Sequence, residues 1–470
     1  MRGLTFRPDK TLFKSSERMI LVLIACAIGC VLLSMLMGAF AALYYIPEIG
    51  GRMSRTGISL VQLRPLHTTF ASAWIYLGAV ACVYAFLFSE YGEPTRGDKQ
   101  RFKFQMVLWG TAGLGVLLTL PFGITSGREY LGFHPFFSAL IAAGWILFGI
   151  TFFRKVAQGF WKQPVYVYMW ACGILLFLYT FAEGHAYLLE GVRGRPVVDL
   201  QVQWKSCGTL VAAFNQMVYG SLIWTVERMT GDRSTGQSRK AFALLGLGML
   251  NSFTNYAPHT YHLPQSHLVK WIAFVVSMLE ILILVGVYKD VVSHLKKART
   301  GALGFQAVTR FIELSKCWNL FLLSLALLIS IPPLNALIHG THVVMAHAMG
   351  SELAIDSYIL FAVLMYLMAG IFPKREVRER YFDSPSARRT VVYLNASLVV
   401  LVAWLLVGGA TTGLTRYRGD PTPEWMANFP YVFAVAGLCF AYFLLKLVLG
   451  WVPLYIRPER HKRWFENGAG

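Results

Sequence analysis

Apolar stretches of eighteen or more residues recur from one end of this chain to the other, separated by short polar segments. Runs of that length match the span of a helix crossing a bilayer. Twelve such helices are predicted, at residues 18–45, 64–90, 103–126, 135–157, 164–190, 204–227, 240–259, 266–290, 306–337, 340–371, 390–414 and 430–456. The connections leave no room for a soluble domain, so residues 1–470 read as one all-α, polytopic membrane domain. The first apolar stretch is too long for a cleavable signal peptide, and basic residues precede it. No internal repeat or low-complexity tract interrupts the pattern.

Composition agrees: 56% of the residues are hydrophobic and only 14% are charged. A net charge of +19 would suggest nucleic acid as a partner of a soluble protein. Here Lys and Arg instead collect at the N-terminus (Arg2, Arg7, Lys10, Lys14, Arg18), in alternate loops, and in the tail (Arg457, Arg460, Lys462, Arg463). The loop clusters are Arg96/Lys99/Arg101/Lys103, Arg154/Lys155, Arg228/Arg233/Arg239/Lys240, Lys289/Lys296/Lys297/Arg299 and Lys374/Arg375/Arg378/Arg380. By the positive-inside rule both termini are cytoplasmic, as an even helix number requires, and the partner is the lipid bilayer, with no nucleic acid. All seven cysteines fall in apolar segments and none forms CxxC or CxxCH. That excludes a disulfide framework and a covalently attached c-type haem.

With this topology each histidine has a depth. His67 opens the second helix, His134 precedes the fourth, and His185 lies near the outer end of the fifth. His259, His262 and His267 surround the turn between helices seven and eight, and His339, His342 and His347 stand at the outer start of helix ten. Only His294 and His461 are cytoplasmic, so nine of eleven histidines share the outer layer. One interfacial histidine is ordinarily a helix cap. Nine in one layer point instead to ligands or an ion route, since intramembrane ionisable residues mark such sites and neutral imidazole is the commonest metal ligand.

Helix geometry separates the candidates. In "AHAMG", His347 and Met349 lie two residues apart, about 200° around a helix, and so face opposite sides. One helix could thus give an axial ligand to each of two flanking haems. His342 lies seven residues before Met349, on nearly the same face and roughly 10 Å higher, and is its rival. In "NSFTNYAPHTYHLPQSH", Asn251, Asn255 and His259 repeat at four-residue spacing, and His262 follows one turn later if the helix continues. A metal held by His259 and His262 is one reading of that polar face; a capped helix end is the other. Glu183 and His185 reach the same layer from helix five, as metal ligands, a proton relay or a cation site. Two further acids, Glu280 and Glu352, lie about 20 Å into helices eight and ten. A charged carboxylate is costly at that depth, so they are expected to be held protonated, as hydrogen-bonded structural groups or as proton donors.

Two of these segments resemble a known family. "LRPLHTTFASAWIYLGAV" is similar to the start of the second helix in catalytic subunits of the haem–copper oxidase superfamily, and "THVVMAHAMG" resembles their tenth helix. Within that superfamily, "ERMTGDRS" and "FVVSMLE" are most similar to the large subunit of bacterial nitric oxide reductases, while "LRPLHT" also resembles C-type oxidases. The resemblance implies a haem–copper oxidase subunit I-like bundle with two b-type haems, one low-spin and one high-spin, and a non-haem metal, with iron favoured over copper. Carried over residue by residue, His67 matches the low-spin haem ligand and His347 the high-spin haem ligand. Met349 stands where the second low-spin ligand is histidine, implying His/Met ligation or recruitment of His342. Glu280 matches a buried glutamate near the catalytic pocket, with Glu352 as the next candidate proton donor.

The chain departs from that pattern at the second metal. Helix six reads "WKSCGTLVAAFNQMVYG", without histidine or acid, and the His-His pair of helix seven becomes Pro258-His259. Either a rebuilt set holds the metal, drawn from His259, His262, His185 and Glu183, or there is no second metal. The function implied is reduction of NO to N2O at a high-spin haem/non-haem metal centre fed by a low-spin haem. Lacking CxxCH, the chain then needs an electron donor, most simply a membrane-anchored cytochrome c, in a bacterial cytoplasmic membrane. The alternatives are an oxygen reductase or NO dismutase of the same superfamily, and a non-catalytic haem protein for electron transfer or gas binding.

Overall fold

Twelve long helices carry the apolar runs: α1 (Lys14–Leu43), α2 (Leu60–Glu90), α3 (Arg96–Thr119), α4 (Pro135–Val156), α5 (Val165–Gly184) and α6 (Pro196–Thr230). They continue as α7 (Arg239–Thr254), α8 (His267–Ala298), α9 (Gln306–Ser330), α10 (His342–Ile371), α11 (Pro385–Arg418) and α12 (Phe429–Leu449). The computed structural model describes residues 14–254, 257–264, 266–298, 306–372 and 374–456. The basic residues Arg2, Arg7, Lys10, Arg299, Arg457, Arg460, Lys462 and Arg463, with Asn255 and His461, lie outside the described residues. No strand occurs among the described residues.

Ten of the twelve are long and apolar enough to cross a membrane on those grounds alone. The other two are α6, whose first turns carry Asp199, Gln201, Gln203 and Lys205, and α7, with 16 residues. Neighbours in sequence pack side by side from α3 through to α12, and α12 returns to α1, which lies along α2. Inside that ring α2, α6 and the second half of α10 pack on one another. Burial separates centre from rim: 89% of the apolar window of α10 and 78% of that of α2 are buried, against 22% for α3 and 17% for α8. Apolar side chains of the rim, such as Leu268, Val275 and Leu282 on α8, have no protein to cover them and are suited to lipid.

Several helix ends differ from the hydropathy pattern because caps, not apolarity, set them. α3 starts at Arg96, where Thr95 and Asp98 form a capping box, and α6 starts at Pro196, whose missing N–H costs nothing at a first helical position. α9 stops at Ser330, since Ile331 precedes Pro332 and takes extended backbone (ψ 117°). A short helix, Pro332–Ile338, follows, and then Gly340 turns the chain at φ 74°, a backbone only glycine adopts freely. Thr341 caps the restart, accepting from the Val343 N–H, and α10 begins at His342. Within α10 the segment Ser351–Asp356 is a π-helical turn between the α-helical stretches His342–Gly350 and Ser357–Ile371. Such turns re-phase the residues beyond them and are common at functional sites.

The alternation of helix directions puts His67, His134, His185, His259, His262, His267, His339, His342 and His347 at one end of the bundle. His294 sits at the other, beside Ser234 and Thr235 of the α6–α7 connection.

Candidate functional site

His67 stands in the second turn of α2 and faces α1. Its Nδ1 lies 2.8 Å from the Ser34 carbonyl oxygen, and Ser34 Oγ donates in turn to the His67 carbonyl at 3.0 Å. A carbonyl only accepts, so Nδ1 carries the proton and Nε2 keeps its lone pair, the tautomer of a metal-ligating imidazole held by a carbonyl. Gly38 admits the ring: a Cβ there would lie 2.7 Å from His67 Nδ1. These residues fit a haem ligand, with Nε2 the nitrogen that would bind.

The first half of α10 is a regular α-helix, so His342, His347 and Met349 take the relative directions expected from their spacing. His342 packs on Phe429 of α12, with ring centroids 4.5 Å apart. The Leu322 backbone of α9 lies alongside the His347 ring. The buried Nδ1 atoms of both histidines have no hydrogen bond of normal geometry. Met349 is half-buried against the core. Two imidazoles with open nitrogens inside a membrane bundle fit haem ligation, because unpaired polar atoms there are costly unless a ligand takes them.

A layer of imidazoles caps this end. His259 does not continue the α-helical polar face of Asn251: it stands in a short 3-10 turn, Ala257–Thr260, and stacks on Trp204 of α6 at 5.0 Å and 6°. His262 is exposed and pairs with His339 instead, ring centroids 4.6 Å apart. Desolvation, followed by the nearby His347 and His339, pushes the His259 imidazole down to about 4, so it is neutral and able to ligate at physiological pH. Burial lowers His339 in the same way. Yet among the described residues no three His, Cys, Asp or Glu side chains converge at metal-binding spacing. The layer supplies donors without a preformed three-donor shell, and a second metal does not fit it as it stands.

Glu183 has a partner already. Lys205 of α6 approaches its Oε1 at 2.8 Å and also donates to Tyr179, which hydrogen-bonds the same carboxylate. His185 caps the end of α5, its Nδ1 2.6 Å from the Phe181 carbonyl and its buried Nε2 without a partner. His134 is a plain helix cap, accepting from the Phe136 N–H at 3.2 Å.

Both deep acids are held by side chains. Asn251 Nδ2 of α7 donates to Glu280 Oε2 at 2.5 Å, and Ser277 Oγ donates to Asn251 Oδ1 at 3.3 Å. Gly248 leaves room there for Gln216 of α6, whose Oε1 is buried without a partner. Glu352 Oε1 accepts from Tyr130 at 3.1 Å. Sequence reasoning missed Tyr130 and Trp204 as members of the site, and it left Asp356 without a role.

These observations define a multi-pass membrane protein with open histidine nitrogens gathered at one end of a twelve-helix bundle. The profile of the family "Cytochrome C and Quinol oxidase polypeptide I" matches residues 18–451, and the chain belongs to that family. The fold is similar to a solved structure described as a heme-copper terminal oxidase dimer, with a TM-score of 0.71 at 14% sequence identity, over 93% of this chain and 84% of that one. No curated protein is significantly similar in sequence. The family consists of membrane oxidoreductases that bind haems and a second metal and work with electron-donor partners.

Proposed function

We propose that this chain is the catalytic subunit of a nitric oxide reductase-like enzyme, combining two NO with two electrons and two protons to give N2O and water. The observation that carries this reading is Glu280, a carboxyl buried in α8 and held by Asn251 at 2.5 Å, within the segment "FVVSMLE" that resembles nitric oxide reductases. On this reading His67 would hold a low-spin haem with Met349 or His342, and His347 would hold a high-spin haem. Haem supplies electron transfer and the binding of NO. The protein's part is to orient the His67 imidazole through the Ser34 carbonyl, to exclude water by packing, and to hold a proton on Glu280. No step is assigned to a second metal, because the imidazole layer does not converge on one. That same observation favours one other reading, a haem-bearing electron-transfer or gas-binding protein without catalysis.

The test is gas turnover by the purified protein, reduced by a small-molecule electron donor. NO consumption with one N2O formed per two NO supports the reading. Oxygen consumption in its place, with NO acting only as an inhibitor, rejects it, and binding of NO without turnover favours the non-catalytic alternative.

A further inference from the structure

We propose that Glu352 and Asp356 form a buried carboxyl pair that holds a proton, and that Tyr130 connects this pair to the loop at the histidine end of the bundle. Glu352 is the second and Asp356 the last residue of the π-helical turn of α10, and the two interact electrostatically. Asp356 is 4% exposed, and its Oδ1 is buried without a hydrogen-bond partner. The end of the turn is bonded without the Asp356 side chain: the Ser357 N–H reaches the Glu352 carbonyl, and Ser357 Oγ donates to the same oxygen at 2.7 Å. Nothing in the backbone therefore calls for the second carboxyl.

The groups that face the pair are phenols and other acids. Asp356 interacts electrostatically with Tyr76 of α2, Tyr219 of α6 and Tyr288 of α8, and Glu280 interacts in the same way with Tyr219. Tyr76 is committed to the Leu210 carbonyl at 3.3 Å, and Tyr219 accepts from Asn319 at 3.4 Å. Two carboxylates both ionised in such surroundings would repel each other, with no cation among the described residues that act on them to offset the cost of burial. A proton on one of them removes that penalty and gives Oδ1 of Asp356 a use.

Tyr130 supplies the connection. It is the one non-glycine residue with positive φ among the described residues, 58°, and its hydroxyl donates to Glu352 at 3.1 Å. The loop that carries it is braced by Ser126 and Thr125 bonds to Leu131 and Gly132. Its neighbour Glu129 pairs with Arg64 at 2.9 Å, and Arg64 is 69% exposed. Polar residues thus lead inward from the exposed Arg64, joined by the Arg64–Glu129 ion pair and the Tyr130–Glu352 hydrogen bond, with Tyr130 next to Glu129 in the chain and Asp356 one turn beyond Glu352. Their use as a proton route rests on the proton-consuming reactions proposed above; the protonation of the pair does not.

Infrared absorbance of the purified haem-loaded protein, native minus variant, tests this in H2O and D2O. The native protein should show a protonated-carboxyl C=O band that moves down in D2O and is lost in both Asp356→Asn and Glu352→Gln. Tyr130→Phe should keep that band but shift it, because the phenol no longer donates to Glu352. If neither acid variant removes a protonated-carboxyl band, the pair is not a proton site. Should the acid variants fail to accumulate, Tyr130→Phe decides alone, an unshifted band overturning the proposal. Glu280→Gln should leave the band in place, so failure of the NO reading and failure of this one are told apart.

Discussion

Two polar groupings near the histidine end of the bundle face the same cost of burial and meet it differently. Between α5 and α6, Glu183, Lys205 and Tyr179 satisfy one another by an ion pair at 2.8 Å and hydrogen bonds to the phenol. On α10, His342 and His347 leave buried ring nitrogens unpaired, while His67 on α2 has one nitrogen fixed by a carbonyl and the other available. A grouping that closes on itself needs nothing further and works as structure. One held open inside a membrane is stable only with a ligand, which is how its members can be recognised. His185 falls on the open side, with Nδ1 bonded to Phe181 and Nε2 free, although its neighbour Glu183 falls on the closed side.

The comparison can be broken by exchanging effects between the two groups. The larger effect is expected at Glu280, an acid held by neutral side chains instead of a cation. Glu280→Gln keeps the shape and the contact with Asn251, so haem content should stay native, while turnover falls by about tenfold or more, as when a positioned proton donor is removed. Near-native turnover would move Glu280 to the structural class and leave Glu352 as the next candidate. The smaller effect is expected at Lys205. Lys205→Met strands the Glu183 carboxylate, which is 14% exposed, and should cost roughly 1–4 kcal/mol, between surface and buried pairs. Thermal unfolding should show a lower Tm with unchanged haem content, and adding Glu183→Gln should restore most of the loss. A loss of haem in Lys205→Met would show that the closed group belongs to the site after all.

How much of this was legible in the sequence follows the range of each interaction. The twelve helices were readable because bilayer-length apolar runs are local. Their ends were less so: hydropathy marks the part that meets lipid, whereas the Thr95–Asp98 box and Pro196 extend α3 and α6 beyond it. The end of α9 had a visible cue in Pro332-Pro333, and the loss of His259 from α7 had one in Pro258. The relative directions of His347 and Met349 were readable from spacing, since that stretch is regular α-helix. Beyond Gly350 the π-helical turn breaks the same arithmetic, and Glu352 and Asp356 take positions that a uniform helix would not give. The Tyr130–Glu352 bond joins residues 222 apart and the Lys205–Glu183 bond residues 22 apart, so neither appears in any local pattern. Ser34 was hidden for the same reason, being an unremarked serine of an apolar helix until His67 is laid against it.

The central claim is that the open imidazoles are haem ligands, and haem content with optical spectra of purified His347→Ala and His67→Ala measures it most directly. The account predicts loss of the high-spin signal alone in His347→Ala and of the low-spin signal alone in His67→Ala. Native haem content with both signals intact in either variant would contradict it.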